Sequence, residues 1–278
     1  MSVDLISKME LAMPPLDTTV AGAPVWVDLM TTDPAAARTF YGELFGWTAQ
    51  EPNEQFGGYF NFLRDGQPIA GGMQSQPDQG VPDVWSVYLR TDDAEKTVAA
   101  VAEKGGQVIA PAMAVGDLGV MAVVGDPTGA MIGIWQPGLH TGLGVTAEPG
   151  APAHFELFTR DHQAAVAFYR DVFGWNTKTV GDTDEFRYTI LVNAAGEPLA
   201  GIMDAAAFLP TGVPAHWSVY FATEDVDATL ATAAELGGKT VNPPMDTPYG
   251  RLATAVDVTG AVFKLVGPNK DPNAAPTG

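Results

Sequence analysis

The sequence contains the same pattern twice. VWVDLMTTDPAAARTFYGELFGW, Val25 to Trp47, is matched by HFELFTRDHQAAVAFYRDVFGW, His154 to Trp175, with Asp33 over Asp161, Phe40-Tyr41 over Phe168-Tyr169 and Trp47 over Trp175. Further pairs follow in the same order. DVWSVYLRTDD at Asp83 returns as AHWSVYFATED at Ala215, KGGQVIAP at Lys104 as LGGKTVNP at Leu236, and DPTGAMIGIW at Asp126 as DVTGAVFKLV at Asp257. A repeat that long and that ordered means two tandem domains, and the 278-residue length suits two. They are placed at residues 22–138 and 151–268. A Gly- and Pro-rich linker at 139–150 joins them, with an N-terminal arm at 1–21 and a C-terminal tail at 269–278. In the arm, Met9 to Met13 is a stretch that packing on a domain would suit.

Each domain is itself built of two similar halves. In VWVDLM, period-2 alternation predicts a strand with Trp26, Asp28 and Met30 on one face and Val27 and Leu29 on the other. Asp33 then caps a helix that starts at Pro34, carries Ala37, Phe40, Tyr41, Leu44 and Phe45 at helical spacing, and stops at Gly46. A hairpin turned by Asp65-Gly66 follows. Strand Val84 to Arg90, helix Asp93 to Lys104 and three short strands ending at Trp135 complete a second βαβββ unit. The fold class is α+β, with four βαβββ modules in two domains.

Composition excludes several functions. The net charge of −19 comes from 33 acids against 14 bases, so the clustered cations that nucleic acid or an anionic membrane surface requires are missing. The weak negative field favours neutral or cationic small molecules. With no cysteine there is no disulfide, thiolate nucleophile or Cys-ligated metal. No apolar run approaches the roughly 20 residues of a membrane span, and no signal peptide is legible at the start, so the expected location is the cytoplasm.

The βαβββ order, the FY pair on the first helix, FGW at its end and DPTGA before the last strand together resemble the vicinal oxygen chelate superfamily. That group holds glyoxalase I, bleomycin resistance proteins and extradiol dioxygenases. The WVDLMTTD opening and WSVY strand are similar to a two-domain actinobacterial subgroup that includes accessory proteins of aromatic polyketide clusters and proteins labelled kinase-inhibitor-like. The resemblance implies cups in which two modules curl eight strands around a pocket. It also implies, in metal-dependent members, four inward His or Glu ligands from those strands. Carried onto this chain, those positions fall on Trp26, near Gly71 or Gly72, on Ser86 and on Gly133 in the first domain. In the second they fall on His154, near Gly201 or Ile202, on Ser218 and on Lys264. Only His154 is a good donor, so no metal and no other cofactor is expected, and no catalytic residue is assigned. Asp28 and Glu156, two residues further along the same face, leave a displaced carboxylate site open; they could equally hold Arg64, Arg90 or Arg187, or cap a backbone group. If the domains exchange halves as glyoxalase subunits do, Trp26 faces Ser218 and Lys264, and His154 faces Ser86 and Gly133.

Indole, phenol and glycine in place of charged ligands imply a roomy, stacking pocket for a planar aromatic guest, cationic ones included. The expected ligand-binding set is Trp26, Asp28, Ser86, Tyr88, Trp135, His154, Glu156, Ser218, Tyr220 and Lys264. Trp85 and Trp217 should face the other layer. His140 in the linker and His162 beside its helix cap should be solvated, and His216 should lie at a rim. The subgroup implies an accessory, product-sequestering role in antibiotic biosynthesis, with a biosynthetic enzyme as a partner and a monomer or weak homodimer as the assembly. Two alternatives stand beside it: an enzyme using displaced ligands or His154 and Glu156 as acid and base, and a protein-interaction module.

Overall fold

The computed structural model describes residues 16–75 and 82–271; Met9 to Met13 and the end of the tail lie outside them. In the first domain β1 (Pro24–Thr31), α1 (Pro34–Phe45), β2 (Thr48–Ala49), β3 (Phe60–Arg64) and β4 (Gln67–Gln74) form one module. The next comprises β5 (Val84–Arg90), α2 (Ala94–Glu103), β6 (Gln107–Val115), β7 (Gly119–Gly125) and β8 (Met131–Pro137). The second domain repeats this with β9 (Pro152–Thr159), α3 (His162–Phe173), β10 (Thr177–Asp182), β11 (Arg187–Val192) and β12 (Pro198–Asp204). It closes with β13 (His216–Ala222), α4 (Val226–Glu235), β14 (Lys239–Thr247), β15 (Gly250–Val256) and β16 (Val262–Gly267). The expected α+β fold of four βαβββ modules is what the chain adopts.

Local chemistry sets the element ends. All four helices begin at an aspartate whose carboxylate accepts a backbone N–H three residues on: Asp33, Asp93, Asp161 and Asp225. Such a cap is worth about 1 kcal/mol. Gly46 and Gly174 end α1 and α3 in the left-handed region at φ 72° and 69°. Asp65 and Gly66, at φ 50° and 77°, make the two-residue turn between β3 and β4.

Each domain is one eight-stranded sheet, ordered β2-β3-β4-β1-β5-β8-β7-β6 and β10-β11-β12-β9-β13-β16-β15-β14. The central pair of each sheet joins the two halves of its own domain: Trp26 lies opposite Tyr88 and Asp28 opposite Ser86, as His154 lies opposite Tyr220 and Glu156 opposite Ser218. Exchange of halves between domains is thereby overturned. Trp26 does not face Ser218 and Lys264, nor His154 Ser86 and Gly133. β5 pairs with β1 on the side opposite β4, and β13 with β9 on the side opposite β12, so each cup is completed within its own domain. Parallel pairing then sets Tyr88 beside Gly133 and Tyr220 beside Lys264.

The faces turned away from the cups pack the domains together. Trp85 meets Phe221 with ring centres 5.3 Å apart, and Phe40 and Tyr41 of α1 reach Phe263. The recurring motifs carry this interface. Tyr41 donates to Asp257 of the other domain's DVTG turn at 2.9 Å, and Tyr169 donates to Asp126 of the DPTG turn at 3.0 Å. Trp85 and Trp217 donate to those same tyrosine hydroxyls, as expected of residues facing the other layer. Trp47 and Trp175 of the FGW motifs bond the carbonyls of Gly150 and Gly22, just ahead of the opposite domain's first strand. The segment after β8 is laid along the first domain, with backbone bonds from Leu143 to Val25 and from Gly144 to Pro68.

Candidate ligand-binding site

The cup of the first domain is organised around one carboxylate. Alternation along β1 turns Trp26 and Asp28 inward together, and the Trp26 indole N–H donates to Asp28 at 2.8 Å. Tyr59, just before β3, donates its hydroxyl to the same oxygen at 2.7 Å, and Tyr88 adds a further hydrogen bond. Burial pushes the Asp28 carboxyl up from its ordinary value, and the donors Tyr59, Tyr88 and Trp26 pull it back. Burial beside that acid holds the Tyr59 and Tyr88 phenols well above theirs. The arginine partners expected for this acid are elsewhere: Arg64 pairs with Glu148, Arg90 with Asp92, and Arg187 with Asp182 and Asp204. Phenol and indole donors take their place.

Glycines at the lost ligand positions do not leave the pocket roomy. A Cβ on Gly71 would overlap the Tyr59 hydroxyl and the Asp28 carboxylate, one on Gly133 would overlap the Tyr88 ring, and one on Gly201 the Tyr188 hydroxyl. Each glycine is the space into which a tyrosine folds. Trp26, Tyr88 and Trp135 are all nearly inaccessible as a result. Two clefts lie outside the cups, one beside Leu16 and Leu143 and one where Arg90 and Asp92 meet Asp171 across the domain boundary.

His140 contradicts the expectation of a solvated linker residue. Its ring stands edge-on to Trp26 at 4.3 Å and to Trp135 at 5.4 Å, while the Trp135 N–H donates to its backbone carbonyl. Burial lowers its pKa, and Nε2 is buried without a hydrogen-bond partner. The chain following β8 thus lays its own aromatic ring on two of the predicted stacking residues. His162 is also buried rather than solvated, while His216 stacks on Phe158 near an edge as a rim residue would.

The second cup keeps the plan and changes the charges. Glu156 accepts from Tyr220 at 2.5 Å and from Tyr188. His154 shares a 3.0 Å hydrogen bond with Tyr188 through Nε2, and burial lowers its pKa. Lys264 stands where the first cup has Gly133. Its ammonium lies 3.3 Å from the Tyr220 hydroxyl, to which it donates, and 3.5 Å from the centre of the Phe158 ring. Burial brings its pKa down to about 8 against the opposing pull of Glu156; the ring face favours the charged form by about 0.5–2 kcal/mol and opposes part of that shift. Ser218 is buried beside Glu156, whereas Ser86 is half-buried beside Asp28. Sequence reasoning left Tyr59, Tyr188, Phe158 and His140 out of the ligand-binding set. The two tyrosines had a signal, since YFNFL at Tyr59 aligns with YTILV at Tyr188 once the repeat is extended; His140 had none, because its place depends on the path of an irregular segment.

A divalent ion would need several converging N or O donors. In the first cup Asp28 already accepts from Trp26, Tyr59 and Tyr88. In the second, His154 is bonded to Tyr188 and an ammonium occupies the last-strand position. Among the described residues no three His, Asp or Glu side chains gather into a metal-sized group. The donor set does not fit the metal of the metal-dependent members.

Comparison with known proteins accords with this arrangement of sheets. The family model described as the Glyoxalase/Bleomycin resistance protein/Dioxygenase superfamily matches residues 23–134 and again 151–266. The chain belongs to that superfamily. Among curated relatives, CFP32 of Mycobacterium tuberculosis, a protein assigned by name as a glyoxylase, is 38% identical over 252 residues, covering 89% of this chain and 95% of that one. The anthracycline biosynthesis protein DnrV of Streptomyces peucetius is 39% identical over 262 residues, covering 88% and 93%. Among solved structures, the Mn(II)-bound glyoxalase from Novosphingobium aromaticivorans superposes with a TM-score of 0.62 at 16% identity, covering 89% of this chain and 82% of that one. The 2,3-dioxygenase LapB from Pseudomonas sp. KL28 gives 0.61 at 15%, covering 92% and 97%. These two likenesses speak to fold alone. No helix among the described residues is long and apolar enough to cross a membrane.

Proposed function

We propose that this superfamily member binds a planar aromatic metabolite in its cups without a metal, as an accessory protein that holds the product of an antibiotic-type pathway. The observation that carries the reading is the aromatic lining of cups whose ligand positions hold few donors: Trp26 and Tyr88 on Asp28, with Trp135 against the His140 ring, in the first, and Tyr220 and Tyr188 on Glu156, with Phe158 under Lys264, in the second. A ring against indole or phenol gains about 0.5–1.5 kcal/mol beyond buried area. A phenolic guest also meets carboxylates that already accept phenol donors. The link to antibiotic chemistry rests on the likeness to the anthracycline biosynthesis protein, and an intracellular location accords with such a role.

Titration of tryptophan fluorescence with a hydroxyanthraquinone tests this. Saturable quenching is expected, unchanged after dialysis against EDTA, and weakened about tenfold to a hundredfold by Trp26→Ala with Trp135→Ala; binding that needs added metal, or ignores both substitutions, would sink the reading. Because His140 occupies the faces a guest needs, His140→Ala should tighten binding about threefold to tenfold, the value of one or two edge contacts. Weaker binding in that variant would make His140 part of the binding surface rather than its competitor.

A further inference from the structure

Lys264 is the one feature of the second cup that neither the fold nor the stacking role requires. Its counterpart in the first cup, Gly133, shows that the sheet closes without it. Its amine has no carboxylate within ion-pair distance among the described residues. What it has is a directed chain: Lys264 Nζ donates to the Tyr220 hydroxyl at 3.3 Å, and that hydroxyl donates to Glu156 at 2.5 Å. Such a chain places a phenol and a carboxylate in line with the amine, where they can relay a proton to or from it. Of the groups around it, Glu156 on β9 is the acid, while His154 on β9, Tyr188 on β11, and Tyr220 and His216 on β13 carry no permanent charge, with both histidines favoured in the neutral form by burial. The cup therefore balances to near zero and suits an uncharged guest. Its approach is aromatic as well, since Phe208 beside Phe158 and Tyr249 beside Tyr188 are 57% and 52% exposed.

We propose that Lys264 is an amine nucleophile that captures an aromatic aldehyde or ketone in the second cup as a reversible imine. This rests on the reading of the cups as ligand sites and adds the chemical class that one of them takes. The amine lone pair attacks the carbonyl carbon, and the C=O π pair moves to oxygen, which takes the first of the two nitrogen protons to give a neutral carbinolamine. The Tyr220–Glu156 pair takes the proton from nitrogen and returns one to the departing hydroxyl, so that C=N forms as one water leaves. No oxidant or reductant is consumed. Lowering of the lysine by burial supports the amine's availability near neutral pH.

The test is cyanoborohydride trapping of the full chain with 2-naphthaldehyde, read by peptide mapping, with calorimetry of 2-naphthol binding alongside. Lys264 should be alkylated at least tenfold faster at pH 7 than Lys104 or Lys270, with a rate rising through a midpoint near pH 8. Tyr220→Phe, which keeps the ring and removes the relay hydroxyl, should slow it several-fold and alter that pH profile, a change that loss of packing alone would not give. Labelling of Lys264 no faster than the surface lysines overturns the proposal, whatever the calorimetry shows. If 2-naphthol binds nonetheless, the aromatic-binding reading survives the loss; if Lys264 is labelled without naphthol binding, the amine chemistry stands and the stacking reading is the one that fails.

Discussion

Replacing both Tyr41 and Tyr169 with Phe should lower unfolding free energy by about 2–6 kcal/mol, about 1–3 for each buried acceptor left without its donor. Asp257 explains the size of the effect. One of its oxygens accepts from Thr259, Gly260 and Ala261 of its own turn, and the other from Tyr41 across the domain boundary. Asp126 is held in the same way by Thr128, Ala130 and Tyr169. Removing one hydroxyl strands a carboxylate oxygen that water cannot reach and also strands an indole N–H, Trp85 in one case and Trp217 in the other. The two sites share no partner, so their costs should add. At about 2–4 °C per kcal/mol the melting temperature of the double variant should fall by roughly 5–20 °C. Calorimetry decides it, and a fall within error of the single Phe40→Leu packing change would show that these bonds do not hold the domains together.

That interface also shows what kind of information the sequence carried. Tyr41, Trp47 and the DPTG turn stood out as motifs because they recur, but recurrence does not say whom a residue touches, and their partners lie 216, 103 and 43 positions away. Strand faces were legible because a period of two is a local property: Trp26, Tyr88, Trp135 and Tyr220 turn inward as alternation requires. Which half pairs with which is not local. The register of β1 on β5 settled it against an exchange between domains. The arginine alternative for Asp28 failed for a related reason, since a buried acid suggests a cation whereas three neutral donors satisfied it here. His140 was illegible because nothing periodic in PGLHTGLG aims its ring at Trp26.

Gly71→Ala should cost about 1–3 kcal/mol, the range for forcing extra volume into a packed interior, although alanine is normally the easier residue to hold in a strand. The new methyl would occupy the place of the Tyr59 hydroxyl, and its next neighbour is the Asp28 carboxylate. Tyr59 must then swing out, and Asp28 loses one of the donors that compensate its burial. Tyr59→Leu alone should cost a similar amount by removing that donor while leaving the glycine hollow empty. Combined, the two changes should be less damaging than their sum, because the methyl fills the hollow that the shorter side chain vacates. A coupling of about 0.5–3 kcal/mol is the expected signature of two groups sharing one space. Gly46→Ala supplies the contrast: its Cβ meets nothing within 4 Å and its cost comes from φ 72° alone, so it should add to Tyr59→Leu without coupling. Strict additivity at Gly71 as well would mean that the hollow does not hold the tyrosine. The idea that phenol took over the ground left by a vanished ligand would then lose its physical basis in the first cup.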